Sequence, residues 1–119
     1  MTKALVIDDE LDICLMITKH LRKMQFDVDY ALTVKEARQK VRGSPYALML
    51  IDLNLTDGTG IEVIDYINEL NLDSKIIVIS AYDSEASKVL KRGASFFIPK
   101  PFTFKKVDEA LKSLNLLPS

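Results

Sequence analysis

One cysteine, one histidine, four glycines and four prolines in 119 residues are small numbers, and each scarcity removes a class of protein. Cys14 has no second thiol with which to form an internal disulfide. With His20 as the only imidazole, a thiol-imidazole nucleophile or a zinc site has too few members. Both fall in a helical pattern, Cys14 as a small packed residue and His20 as a partly exposed one. A chain 48% apolar with so little glycine and proline is neither disordered nor a repeat array. An excess of one charge is also lacking: sixteen Lys and Arg face seventeen Asp and Glu. No strongly basic surface therefore argues for nucleic acid or an anionic membrane. No apolar run approaches the roughly eighteen residues of a membrane span. Met-Thr-Lys leads straight into Ala-Leu-Val-Ile, without the apolar core and small-residue cleavage site of a signal peptide. The expectation is a cytoplasmic protein whose residues 1–119 form one domain with a complete core.

What is present is an alternation of strand and helix patterns. Lys3 to Ile7 is apolar and ends at Asp8-Asp9-Glu10. Ile13, Met16, Ile17, Leu21 and Met24 then recur at helical spacing, with Asp9, Glu10 and Asp12 suited to the positive end of the helix dipole. Phe26 to Tyr30 alternates as a second strand. Thr33 predicts a helix N-cap, with Glu36 completing a capping box, and the helix runs to about Arg42 before Gly43-Ser44-Pro45. Ala47 to Ile51 is an unbroken apolar run that stops at one carboxylate, Asp52, before the turn residues Asn54, Asp57, Gly58 and Gly60. Ile61, Ile64, Ile67 and Leu70 mark a third helix, Lys75 to Ile79 a fourth strand ending at Ser80, and Ser84 to Arg92 a fourth helix closed by Gly93 in a left-handed cap. Ser95 to Ile98 is a fifth strand stopped by Pro99-Lys100-Pro101, and Val107, Ala110, Leu111 and Leu114 mark a last helix.

Five strands alternating with five helices predict an α/β fold, a doubly wound parallel sheet with right-handed crossovers. A strand apolar on both faces, such as Ala47 to Ile51, belongs to such a sheet, and ligands gather beyond the carboxyl ends of its strands. Asp8 and Asp9, Asp52, Ser80 and Lys100 all terminate strands and so share that edge. Singly, each has an ordinary explanation as a helix-start acid, a turn hydroxyl or a solvated cation. Together they are three acids, a hydroxyl and an ammonium converging on one crevice. Clustered carboxylates repel unless a cation offsets them. A set of carboxylates and carbonyls without imidazole or thiolate suits Mg²⁺, which keeps waters and accepts a phosphate oxygen. Lys100 and Ser80 are then placed to hold further phosphoryl oxygens, and the nucleophile in position is Asp52.

With these residues in view, the chain resembles the receiver domain of two-component response regulators. The likeness covers nearly its whole length: Leu-Val-Ile-Asp-Asp-Glu, then Leu-Ile-Asp-Leu-Asn-Leu-Thr-Asp-Gly-Thr-Gly, Ile-Ser-Ala, and Gly-Ala-Ser-Phe-Phe-Ile-Pro-Lys-Pro-Phe. The resemblance implies a flavodoxin-like sheet of order 2-1-3-4-5. It implies that Asp52 accepts phosphate from a sensor histidine kinase or a histidine phosphotransfer protein, and that Asp8, Asp9, Asp52 and the backbone carbonyl of Asn54 hold Mg²⁺. It further implies that Lys100 pairs with the phosphoryl group and that Ser80 follows it. Phe97 takes the place of the aromatic that swings inward, from an exposed to a buried position. A homodimer through the fourth helix, fifth strand and last helix is a further implication, as is a cis Lys100-Pro101 peptide bond. Asn54 and Tyr82 occupy positions that tune phosphoryl lifetime in the family. Thr56 stands where the family usually has proline, and Pro99 before Lys100 is less usual.

Three other readings stay open. Asp52-Leu53-Asn54 faintly resembles the Asp-x-Asp of aspartyl-nucleophile phosphatases, but Asn54 cannot serve as a general acid-base. A flavodoxin-like nucleotide or flavin binder needs an amide cradle after the first strand, where Asp8-Asp9-Glu10 would repel phosphate. A receiver that is never phosphorylated and only scaffolds a partner is opposed by the complete acidic set. The sequence names neither a kinase nor an output domain beyond Ser119.

Overall fold

The computed structural model describes residues 1–117. Five parallel strands form one sheet: β1 (Thr2–Ile7), β2 (Phe26–Ala31), β3 (Leu48–Ile51), β4 (Lys75–Ser80) and β5 (Phe96–Pro99). Their spatial order is β2-β1-β3-β4-β5, the one the resemblance implies. The helices are α1 (Leu11–Lys23), α2 (Val34–Gly43), α3 (Gly60–Glu69), α4 (Ala86–Lys91) and α5 (Phe104–Ser113).

The period-two alternation of each strand sorts its side chains between two cores. Leu5, Ile7, Met49, Ile51, Ile76 and Val78 face one way, where they pack with Val34 and Ala37 of α2, Val63 and Ile67 of α3, and Val89 of α4. Ala4, Val6, Leu48, Leu50, Ile77 and Ile79 face the other, against Cys14, Ile17 and Leu21 of α1 and Val107 and Leu111 of α5. Each buried Leu or Ile contributes about 1.5–3 kcal/mol relative to an exposed one. This two-sided burial lets the central strands carry unfavourable polar groups at their ends.

Several local expectations are corrected. Met16 is 49% exposed and Leu70 40%, so neither belongs to the buried stripe of its helix. α1 begins at Leu11 with Glu10 at the N-cap, leaving only Asp12 in the first turn; Asp9 is held outside the helix. The α2 capping box is half formed. The Thr33 hydroxyl accepts from the Glu36 amide, but the Glu36 carboxylate accepts from Leu32 rather than from Thr33. A full capping box instead opens α3, between Thr59 and Glu62. The fourth helical segment divides into a 3-10 turn over Asp83–Glu85 and the short α4. Gly93 follows with φ +107°, the left-handed position expected of it. Pro99 lies within β5, an edge strand, where a missing amide is tolerated.

Candidate functional site

The sheet's hydrogen bonding carries the strand-terminal residues to one place. Ile7 is level with Ile51 across β1 and β3, and Ile51 with Val78 across β3 and β4. The ladder continues past the regular strands: the Asp52 amide donates to the Ile7 carbonyl at 2.8 Å, and the Lys100 amide to the Ser80 carbonyl at 2.8 Å. Asp8 and Asp52 are thus fixed side by side, with Ser80 and Lys100 paired next to them. Carboxylate oxygens of Asp8, Asp9 and Asp52 lie within 4.8 Å of one another.

Burial makes this grouping expensive. Asp8 is 3% and Asp52 6% exposed, whereas Asp9 is open to solvent. The Lys100 ammonium donates to Asp8 Oδ2 at 3.2 Å and to Asp52 Oδ2 at 3.4 Å, so one cation bridges both buried acids. Burial pushes the Asp52 carboxyl above the usual carboxylate range, and the neighbouring Asp8 charge adds to it; Lys100 and the Asn54 amide pull back only partly. On Lys100 the desolvation works to lower the pKa, but Asp52 and Asp8 outweigh it and the net direction is up. Three acids against one ammonium leave an acidic surplus in a cleft of about 340 Å³ lined by Asp9, Asp52, Asn54, Tyr82 and Lys100. That all-oxygen donor set, two of its members buried and short of positive charge, fits a hard divalent cation.

The residues around the cleft hold its walls. Asp8 Oδ1 accepts from the Glu10 amide at 2.9 Å, and the Asp8 carbonyl accepts from the Cys14 thiol at 3.3 Å. Cys14 is buried, with its thiol pushed up to about 12, first by burial and then by Asp8, so it is the packed residue expected. Gly60 lets α3 start against β3; a Cβ there would overlap the Asp52 carbonyl oxygen. Ser80 is fully buried, its hydroxyl accepting from the Tyr82 amide at 3.1 Å. The Lys100-Pro101 peptide is cis. Phe97 departs from expectation: its ring is half-buried and packs against the core on the α4 side rather than standing exposed. His20 is partly buried, its ring stacked on Phe104 at 4.1 Å and bonded to Asp108 at 2.8 Å, a contact between α1 and α5 away from the cleft.

Sequence spacing marks Asp57 only as a turn residue, but the structure gives it a further contact. Its carboxylate reaches the first turn of α2, accepting from the Val34 amide at 2.7 Å and the Lys35 amide at 3.1 Å. No local spacing could show a partner more than twenty positions away. The Thr59–Glu62 box was legible, since it has the same spacing read at Thr33 and Glu36. The two-residue ladder of Asn54–Leu55 with Gly58–Thr59 is too short for any period to reveal.

Comparison with known proteins agrees along the chain. The model of the response regulator receiver domain matches residues 4–112. The response regulator protein PilR of Pseudomonas aeruginosa is 37% identical over 109 residues, 90% of this chain and 24% of its own length. The alkaline phosphatase synthesis transcriptional regulatory protein PhoP of Bacillus subtilis is 32% identical, over 94% of this chain and 48% of its own length. The chain thus spans well under two thirds of these curated relatives. Among solved structures, the response regulator TrrA of Thermotoga maritima, in complex with Mg²⁺-BeF, superposes with a TM-score of 0.86 at 30% identity, covering 96% of this chain and 99% of that one. A CheY-like receiver domain protein of Methanospirillum hungatei reaches 0.89 at 27% identity, over 96% of this chain and 93% of its own. By its sheet order, its acidic strand ends and the match from Ala4 to Lys112, the chain belongs to the receiver domains of two-component response regulators.

Proposed function

We propose that this receiver domain takes up a phosphoryl group on Asp52 from the phosphohistidine of a sensor kinase or a histidine phosphotransfer protein. The observation that carries the reading is the buried Asp8–Asp52 pair bridged by the single Lys100 ammonium, with Asp9 closing the acidic triad. Asp8, Asp9, the Asp52 carboxylate and the backbone carbonyl of Asn54 would hold Mg²⁺. When bound, the ion supplies charge compensation and a hold on phosphoryl oxygens. The Mg²⁺-BeF complex of the TrrA relative supports that choice of ion.

In the transfer, an Asp52 carboxylate oxygen attacks phosphorus as the bond to the donor's imidazole nitrogen breaks, and the imidazole keeps the electron pair. Lys100 contributes a donor that can leave Asp52 Oδ2 for a phosphoryl oxygen, a charge-assisted bond that stabilises charge building in the transition state. Asp52 enters as the carboxylate, so its upward-shifted pKa disfavours the reactive form at low pH.

The product adds negative charge and acceptor oxygens beside the Ser80 hydroxyl, the nearest neutral donor. Ser80 now accepts from Tyr82 and keeps its own proton to give. Drawn toward the phosphoryl, it takes the loop after β4 with it, and the half-buried Phe97 ring turns further in. The α4-β5-α5 surface then changes shape and serves a partner or a second copy of the chain. A full reversal of populations needs about 5.5 kcal/mol of differential stabilisation, so a partial shift is expected.

The test is intact-mass measurement after incubation with acetyl phosphate and Mg²⁺. One added phosphoryl group is expected, absent in Asp52→Asn and in excess chelator. Unchanged uptake in either would refute the assignment.

A further inference from the structure

The loop that carries Asn54 beside the acidic cleft is a hairpin with little to hold it on its own. Its ladder is two residues on each side, Asn54 opposite Thr59 and Leu55 opposite Gly58, and isolated hairpins of even greater length are marginal in water. The connecting residues, Thr56 and Asp57, are not among those with positive φ. The turn is therefore not one of the mirror-image types whose twist suits a two-residue connection. Thr56 also leaves its φ unconstrained where a proline would fix it. Rigidity must come from outside the hairpin.

It comes from α2. Asp57 spans the gap with both carboxylate oxygens, one on the Val34 amide at 2.7 Å and one on the Lys35 amide at 3.1 Å. These amides belong to the first turn of the helix, where the Thr33 side chain caps the Glu36 amide. The Val34 amide above all, with Lys35 and the Arg38 charge, holds the Asp57 carboxyl below the usual range, so the strut stays ionised. Gly58 lies flush with both neighbours, since a Cβ there would meet Glu62 and come within 3.2 Å of Val34 Cγ2. Asp57 is not one of the carboxylates that meet in the cleft. Its place is at the hairpin tip, with Asn54 at the base.

We propose that Asp57 is a positioning residue for the cation site: by tying the hairpin tip to the first turn of α2 it keeps Asn54 at the cleft, the task a proline at position 56 would otherwise share. The inference rests on the reading of Asp8, Asp9, Asp52 and Asn54 as Mg²⁺ ligands. Val34 is itself buried and α2 packs on the sheet, so the strut ties the loop to the rigid part of the fold.

The experiment compares the parent, Asp57→Ala, Asp57→Asn and the double variant Thr56→Pro/Asp57→Ala. Mg²⁺ is titrated calorimetrically at high salt, where long-range attraction between Asp57 and the ion is screened. Backbone amide exchange of residues 53–59 is followed in the metal-free proteins. Asp57→Ala is expected to bind Mg²⁺ roughly tenfold more weakly, as for other groups that orient metal ligands, and to exchange faster across the loop. Asp57→Asn, which keeps one accepting oxygen, falls between, and Thr56→Pro restores most of the lost affinity. Faster exchange with unchanged Mg²⁺ affinity, or lost affinity that proline does not restore, overturns the positioning role alone. Failure of the parent to bind Mg²⁺ overturns the reading of the ligands and the positioning role with it.

Discussion

The two edges of the one sheet treat polar groups in opposite ways. Toward the amino edge, polar groups pair one to one: the Tyr46 hydroxyl donates to Asp29 at 2.7 Å, Ser74 to the Tyr46 carbonyl at 2.6 Å, and the Lys3 ammonium to the Ser44 hydroxyl at 3.2 Å. At the carboxyl edge, Asp8 and Asp52 share one ammonium while Asp9 stands beside them. Both edges border the same apolar strands, so the difference is not one of core composition. An edge of matched groups adds to stability, since a satisfied hydrogen bond is worth about 1 kcal/mol. An edge that buries repelling charges subtracts from it, and such a cost marks a site kept for chemistry.

That contrast can be broken most forcefully at Lys100. Lys100→Ala should slow phosphoryl uptake by about a hundredfold, the scale of losing one placed donor, with the fold retained; a mass-spectrometric time course with acetyl phosphate reads it. An intermediate effect is expected at Ser80. Ser80→Ala should accept phosphate at close to the parent rate yet show a weaker phosphorylation-dependent change in partner or self-association, and a full response would remove Ser80 from the switch. At the other edge, Tyr46→Phe should cost about 1 kcal/mol in denaturant unfolding and leave uptake untouched. The smallest effect is at Cys14. With its thiol pushed up to about 12 by burial, it should resist alkylation in the native protein at mildly alkaline pH and react only on unfolding.

How much of this was readable in advance depends on the range of each interaction. The strands, the two-faced burial of Leu48 to Ile51 and the shared edge of Asp8, Asp52, Ser80 and Lys100 follow from local periodicity and from parallel topology, and all were legible. The sheet order was not, since crossovers leave no periodic mark, and it came through resemblance alone. Asp57 was illegible because its partner lies on another element. Glu36 departs from the expected box because its carboxylate accepts from the Leu32 amide. Met16 lies outside the buried stripe that its spacing predicts, because helical spacing cannot tell an apolar side chain over the core from one beside it.

The most direct test of the central claim is the melting temperature of the parent and of Asp52→Asn at neutral pH, each with chelator and with Mg²⁺. Because the folded Asp52 carboxyl lies above its unfolded value, its contribution to stability is full below the ordinary carboxylate pKa and is lost as pH rises through the raised one. At neutral pH it therefore opposes folding. In chelator, Asp52→Asn should melt a few degrees above the parent; Mg²⁺ should raise the parent more than the variant and narrow or reverse the gap. A parent that melts higher than Asp52→Asn in chelator and does not respond to Mg²⁺ would contradict the account.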